Sequence, residues 1–133
     1  MMINILWVAL GGGVGASLRY LVSIGLLNGA SGFPFATLAV NISGSFGLAM
    51  LWLWQLQQSQ SSATSLWLLL GVGVFGGFTT FSTFSLELFQ LLQQQQWLKA
   101  TLYSLASVLL SLFAVALAWW LFGQPLGHDQ GAS

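Results

Sequence analysis

The chain of 133 residues is 56% hydrophobic and 3% charged, whereas soluble domains carry about 25% charged residues, so its ionic side chains cannot build a water-facing surface. Arg19, Glu87, Lys99 and Asp129 cancel to zero net charge, which excludes the basic field that nucleic acids or anionic surfaces require. The absence of cysteine and the single His128 exclude a disulfide frame, a thiolate nucleophile and a zinc site of Cys and His ligands.

A bilayer core about 30 Å thick needs roughly 20 apolar residues per helix, and the sequence offers four such runs separated by short polar breaks. The first covers residues 3–27 and ends in the turn formers Asn28-Gly29-Ala30-Ser31-Gly32. Met1 to Leu10 contains no Lys or Arg, so this run reads as a retained membrane helix and not as a signal peptide. The second run starts near Pro34, a residue suited to a first helical position, and ends before Gln55. Residues 57–65 are mostly Gln and Ser and read as a solvated loop. The third run, residues 66–92, is interrupted by Gly76-Gly77-Phe78-Thr79-Thr80. The fourth, residues 97–122, stops at Gly123-Gln124-Pro125. The layout is therefore one transmembrane domain over residues 1–123 and a polar tail over 124–133, an all-α membrane protein of four transmembrane helices with the third broken mid-membrane.

Orientation in a membrane normally follows excess Lys and Arg in the cytoplasmic loops, but Arg19 lies inside a span and Lys99 at the edge of another. Either an insertion partner fixes the orientation, or the chain inserts both ways and pairs with its inverted copy. Four helices of this length leave no room for a private aqueous path, which makes the second arrangement attractive.

Gly71-Val72-Gly73-Val74-Phe75-Gly76 matches a pyrophosphate-binding pattern, but it lies inside an apolar helix and lacks the preceding strand. Its glycines, the Gly73/Gly77 pair, and Gly11, Gly12, Gly13 and Gly15 read as positions of close helix packing. The sequon Asn41-Ile42-Ser43 is mid-helix and is set aside.

The polar residues within the spans carry more information. Arg19 stands about two thirds through the first span, where a guanidinium costs at least ~2.5–3.5 kcal/mol without water or a partner. It either snorkels to the nearer interface, about 12 Å away, or supplies a fixed positive charge in an aqueous vestibule. Thr37, Asn41 and Ser45 form one polar face, as do Tyr103, Ser107 and Ser111, and Glu87 continues a face begun by Thr80 and Thr83. Single hydroxyls of this kind are commonly interhelical glue at ~0.6 kcal/mol each. Three aligned stripes with an intramembrane arginine suggest a permeation path, whose N–H and O–H donors suit a small anion.

Phe78, Phe81 and Phe84 recur every three residues, either filling a core or, through positively polarised ring edges, contacting an anion. The 76–80 interruption is either a simple kink or an opened backbone. Non-helical backbone at membrane depth is tolerated where it is buried in protein or lines a cavity, and its freed carbonyls could enclose a small hard cation.

Three segments resemble the small bacterial fluoride channels of the Fluc family, once linked to camphor resistance: Gly12-Gly13-Val14-Gly15-Ala16-Ser17-Leu18-Arg19-Tyr20, Thr37-Leu38-Ala39-Val40-Asn41-Ile42-Ser43-Gly44-Ser45-Phe46, and Gly76-Gly77-Phe78-Thr79-Thr80-Phe81-Ser82-Thr83-Phe84-Ser85. The resemblance covers the chain up to its tail. It implies a passive fluoride-specific channel of the bacterial inner or plasma membrane, not an enzyme, built as an antiparallel dual-topology homodimer with two pores. Carried onto this sequence, it implies that Asn41, Phe81 and Phe84 line each pore, with Thr37, Thr83, Tyr103, Ser107 and Ser111 as further polar contacts and Arg19 at the vestibule. It also implies a central, structural sodium ion held by the backbone carbonyls of Gly76 and Thr79. A small proton-coupled multidrug exporter would carry a membrane glutamate in the first helix, where this chain has Arg19. A non-transporting assembly subunit of a larger membrane complex is the third reading.

Overall fold

The computed structural model describes residues 1–26, 32–58 and 64–123, and among these all regular structure is helical. Helix α1 spans Met2–Leu26 and α2 Phe35–Leu56. The third span, Thr64–Gln93, is composite: α3 (Trp67–Phe75) is wound as a π-helix, α4 (Gly76–Phe78) is one short turn, and α5 (Phe81–Gln93) is regular. Helix α6 spans Trp97–Phe122. The expected loop at residues 28–32, most of that at 57–65, and the tail at 124–133 lie outside the described residues, apart from Gly32, Gln57, Gln58, Thr64 and Ser65.

The four spans are 25, 22, 30 and 26 residues long, each sufficient for a bilayer that needs about 20. Their apolar side chains face outward in large numbers: Leu102, Leu105, Leu109, Leu112 and Phe113 on α6 are all exposed, as are Leu6, Leu10, Val14 and Leu21 on α1. In water such faces would aggregate, and in lipid they are the solvated surface. The chain is a multi-pass membrane protein.

Backbone proximity holds α1 to the third span. A methyl placed on Gly11 would come within 2.0 Å of the Leu69 carbonyl oxygen, and one on Gly15 within 2.1 Å of that of Val74. Gly73 and Gly77 meet the backbones of Gly11 and Gly12 in the same way. With no hydrophobic drive between helices in lipid, small residues let the two backbones touch and gain dispersion contact along their length. Gly12 and Gly13 differ from the close-packing expectation, since a methyl on either meets nothing within 4 Å; only the backbone of Gly12 is engaged.

The π winding of α3 has no counterpart in the sequence reading, which expects regular helix there. The N–H of Gly76 reaches the carbonyl of Gly71, an i→i+5 closure that widens the helix where Gly71 and Gly73 are buried. The entry to α2 also differs by one position. Pro34 flanks the helix instead of opening it, and its carbonyl accepts from Leu38 N–H at 3.2 Å.

The turn from α5 to α6 is compact. Gln95 N–H donates to the Leu92 carbonyl at 3.0 Å and Gln96 N–H to that of Leu91 at 2.9 Å, the paired bonds of a Schellman closure. Gln95 takes φ 57°, a left-handed position usually given to glycine. Beneath this turn Phe84, Leu91, Ala100 and Tyr103 form the buried cluster that joins α5 to α6, with Phe33, Leu38 and Leu88 packed around it.

Candidate functional site

The site is built on the two residues that separate α4 from α5. Thr79 has ψ 157° and Thr80 has φ −152° and ψ 124°, both extended. The Thr79 N–H and hydroxyl both donate to the Phe75 carbonyl, at 3.0 and 2.9 Å, closing the end of the preceding turn. Thr80 then opens α5 as its N-cap, with Oγ1 accepting from Thr83 N–H at 3.2 Å, the role for which threonine side chains are preferred.

Asn41 on α2 fastens this junction. Its Oδ1 accepts from Thr80 N–H at 2.8 Å and its Nδ2 donates to the Thr80 carbonyl at 3.1 Å. The Thr80 N–H would reach the Gly76 carbonyl in an unbroken helix, so the asparagine amide takes over a donor that Gly76 has lost. Buried backbone groups must be paired, and in lipid a helix break persists only if a neighbour re-satisfies it.

Beside the junction lies an inner cavity of about 250 Å³ lined by Asn41, Thr79, Thr80, Phe81, Phe84, Ser107, Val108 and Ser111. The structure thus brings together five of the eight residues that the resemblance assigns to the pore, Asn41, Phe81, Phe84, Ser107 and Ser111, with Thr79 and Thr80 of the interruption beside them. The two rings lie 5.6 Å apart and tilted by 40°. Phe84 is 9% exposed and Phe81 79% exposed, so one ring is set in the core and the other stands free on the open side. Ser107 is buried, and its Oγ has no hydrogen-bond partner. An unpaired buried hydroxyl costs about 1–3 kcal/mol, and here it belongs to a residue lining the cavity.

The other singled-out residues sit elsewhere. Arg19 lines a second cavity, of about 220 Å³, together with Ala16, Tyr20, Ser23, Thr37 and Thr83. Thr37 and Thr83 are therefore companions of the arginine and do not line the inner cavity. Tyr103 is fully buried, with its ring 5.1 Å from Phe84 and 5.7 Å from Phe33. The three stripes, each a single face in the sequence, divide between separate places once the helices cross.

Glu87 has a larger role than continuing a polar face. Thr37 Oγ1 donates to its Oε1 at 3.0 Å, and Tyr103 OH donates to its Oε2 at 2.7 Å. One carboxylate thereby ties α2, α5 and α6 together within the apolar layer. Intramembrane acids require such partners. The spacing along α5 marks Glu87 as facing inward, but its donors come from positions 50 and 16 residues away, which no local pattern reveals.

Among the described residues no group of three His, Cys, Asp or Glu side chains could hold a metal ion. The junction instead offers backbone oxygen. Gly76 has lost its i+4 donor to Asn41, and the chain turns extended directly after Thr79 C=O. Carbonyls of this kind are hard ligands, the type that small hard cations prefer.

The family model described as "CrcB-like protein, Camphor Resistance (CrcB)" matches residues 6–119, which contain every helix junction and cavity described above. The chain belongs to the CrcB/Fluc family. Among its relatives, the protein named fluoride-specific ion channel FluC from Shewanella putrefaciens is 47% identical over 117 residues, covering 87% of this chain and 93% of that protein. The FluC of Shewanella baltica is 47% identical over 115 residues, covering 86% and 91%. That of Shewanella denitrificans is 46% identical over 117 residues, covering 87% and 93%. This CrcB/Fluc chain therefore matches its relatives over nearly their whole length, and the family match reaches into all four spans.

Proposed function

We propose that this chain is a fluoride-specific passive ion channel. Family membership and the names of its relatives support the reading, and the observation that carries it is the inner cavity. In one place it combines an amide, two aromatic rings and an unpaired buried hydroxyl of Ser107. Fluoride is small and strongly hydrated, so a path must replace its water with N–H and O–H donors and with positively polarised ring edges. Those are the groups present. Fluoride enters an acid-exposed cell as neutral HF, ionises in the neutral cytoplasm and is trapped; a passive channel lets the anion leave down its electrochemical gradient. No bond is made or broken in that passage. The proton-coupled exporter and the assembly subunit gain no support from the family membership.

The working unit in this reading is an antiparallel homodimer with two pores, in the bacterial inner or plasma membrane. Two observations support it. Phe81 stands 79% exposed beside the open side of the inner cavity, as a ring completed by a second copy would. No described loop carries a Lys or Arg excess, so nothing in the described loops biases insertion one way. Asn41, Phe81, Phe84, Ser107 and Ser111 line each pore, with Tyr103 as a buried polar contact packed on Phe84, and Arg19 with Thr37 and Thr83 forms a vestibule. The third helix is broken at mid-membrane by Thr79 and Thr80. Gly76 and Thr79 would hold a structural sodium through their backbone carbonyls. When bound, the ion would supply a fixed positive charge that draws the two breaks of the dimer together.

Fluoride efflux from liposomes containing only the purified chain tests the function: no efflux from empty liposomes and rapid efflux once the protein is present is the expected result. Silence of the pure protein would refute it. Tagged C-termini on both sides of the membrane in comparable amounts test the dual topology. Exchange of sodium for a large organic cation, expected to inactivate the channel or loosen the dimer, tests the central ion.

A further inference from the structure

A cavity of about 240 Å³ lies between the entry to α2 and the far end of α5, and Phe33, Glu87, Gln90 and Gln94 are among its walls. Gly32 lines it as well, and a methyl added there would sit 3.5 Å from the Lys99 ammonium, which places that charge at the rim.

Two observations connect this cavity to the inner one. First, the Tyr103 ring packs on both Phe33, which lines this cavity, and Phe84, which lines the inner one, at 5.7 and 5.1 Å. These three rings form an aromatic wall between the two cavities. Second, Thr80, which lines the inner cavity, donates its hydroxyl to Thr83 Oγ1 at 3.1 Å, and Thr83, Glu87, Gln90 and Gln94 follow at spacings of four, three and four along α5, so a polar face runs from the Thr79–Thr80 junction to the helix end.

We propose that this cavity is the antechamber of the fluoride path, with the Gln90 and Gln94 amides as donors to the incoming anion and Lys99 as the attractive charge at its mouth. Both glutamines are exposed, as side chains at a water-filled entrance must be. Among the described residues lining the cavity, the acidic group that would repel an anion is Glu87, and both its oxygens are turned to donors, Thr37 and Tyr103. The aromatic wall is then the narrow point, and the Tyr103–Glu87 hydrogen bond fixes its position. This assignment rests on the fluoride-channel reading.

The chain has no native cysteine, so single cysteines report cleanly. Gln90→Cys, Gln94→Cys and the control Gln93→Cys, which does not line the cavity, are labelled in detergent with an anionic and with a cationic methanethiosulfonate of similar size, and then reconstituted for fluoride efflux. The anionic adduct at position 90 or 94 is expected to slow efflux about tenfold or more, since a like charge within a few ångströms of a poorly screened path raises its barrier by ~1.4 kcal/mol or above. The cationic adduct at the same positions should give efflux about tenfold or more above that of the anionic adduct, whereas the two adducts at position 93 should give equal efflux. Equal efflux from anionic and cationic adducts at both positions would overturn the antechamber. Failure of the thiols at positions 90 and 94 to react while the one at position 93 reacts would overturn it too, because water would not reach the cavity. Absence of efflux from the unmodified chain is a separate result and removes the fluoride reading itself.

Discussion

Asn41 stands in for a turn of backbone: its side-chain amide exchanges two hydrogen bonds, at 2.8 and 3.1 Å, with the N–H and the carbonyl of Thr80. The residue that lines the inner cavity is thus also the residue that makes the break in the third span tolerable. These roles are separable by substitution, because one concerns the sign of a charge and the other the geometry of a peptide group.

Asn41→Asp keeps the acceptor for Thr80 N–H but loses the donor to its carbonyl and brings a negative charge to the cavity. Fluoride efflux should fall more than tenfold, by the same Coulomb argument that makes a carboxylate costly beside an anion path. Asn41→Ala removes both bonds, and thermal or detergent unfolding should show a loss of about 1–3 kcal/mol. Efflux retained in both variants would remove Asn41 from the path.

The two phenylalanines should respond differently to the same change. Phe81 is 79% exposed, so Phe81→Ile has little packing to lose within the subunit, whereas Phe84 is packed on Tyr103 and Phe81. Phe81→Ile is expected to abolish most of the efflux at unchanged monomer stability. Phe84→Ile should lose efflux together with a stability cost of up to about 1.5 kcal/mol. Efflux that simply tracks stability across the pair would return both rings to a packing role.

Close approach of α1 to the third span gives a sharp contrast between neighbouring glycines. Gly11→Ala and Gly15→Ala drive a methyl to within 2.0 and 2.1 Å of backbone oxygens that cannot swing away, so α1 must shift, at a cost of about 1–3 kcal/mol or more. Gly13→Ala points into open space and should cost nothing, or stabilise α1 by up to about 1 kcal/mol through helix propensity. Stability measured on the three variants decides the matter.

Gln95 holds a left-handed backbone conformation at φ 57°, which costs an ordinary residue roughly 1–2 kcal/mol. Gln95→Gly should therefore raise stability by about 1 kcal/mol while leaving fluoride efflux unchanged. A loss of stability would show that the Gln95 side chain contributes something beyond its backbone.

Much of this could be read from residues alone, and the exceptions share a cause. The spans followed from runs of apolar residues, and the junction from two glycines followed by two threonines. Packing glycines were legible at Gly11, Gly15, Gly73 and Gly77, but Gly12 and Gly13 look identical in the sequence and differ only in which way α1 is turned. The Glu87 partners, the π winding of α3 and the left-handed Gln95 were not legible. The first depends on helices far apart in the chain, the second is a winding that the apolar run 67–75 does not distinguish from regular helix, and the third depends on a turn that a run of four glutamines does not specify. Sorting of the polar stripes between the inner cavity and the Arg19 cavity likewise needs the helix crossings, since periodicity gives a face but not what it faces.

The Thr79–Thr80 junction also has a bearing on the order in which the molecule is assembled. Helix α5 is severed from the regular hydrogen-bond ladder of α4, and, apart from its Thr80 cap, its polar anchors belong to other spans: Asn41 and Thr37 on α2, Tyr103 on α6. Two of these precede it during synthesis, and the third follows. The polar contacts of the second half of the third span are consequently complete only once α6 has been made and has delivered Tyr103 to Glu87.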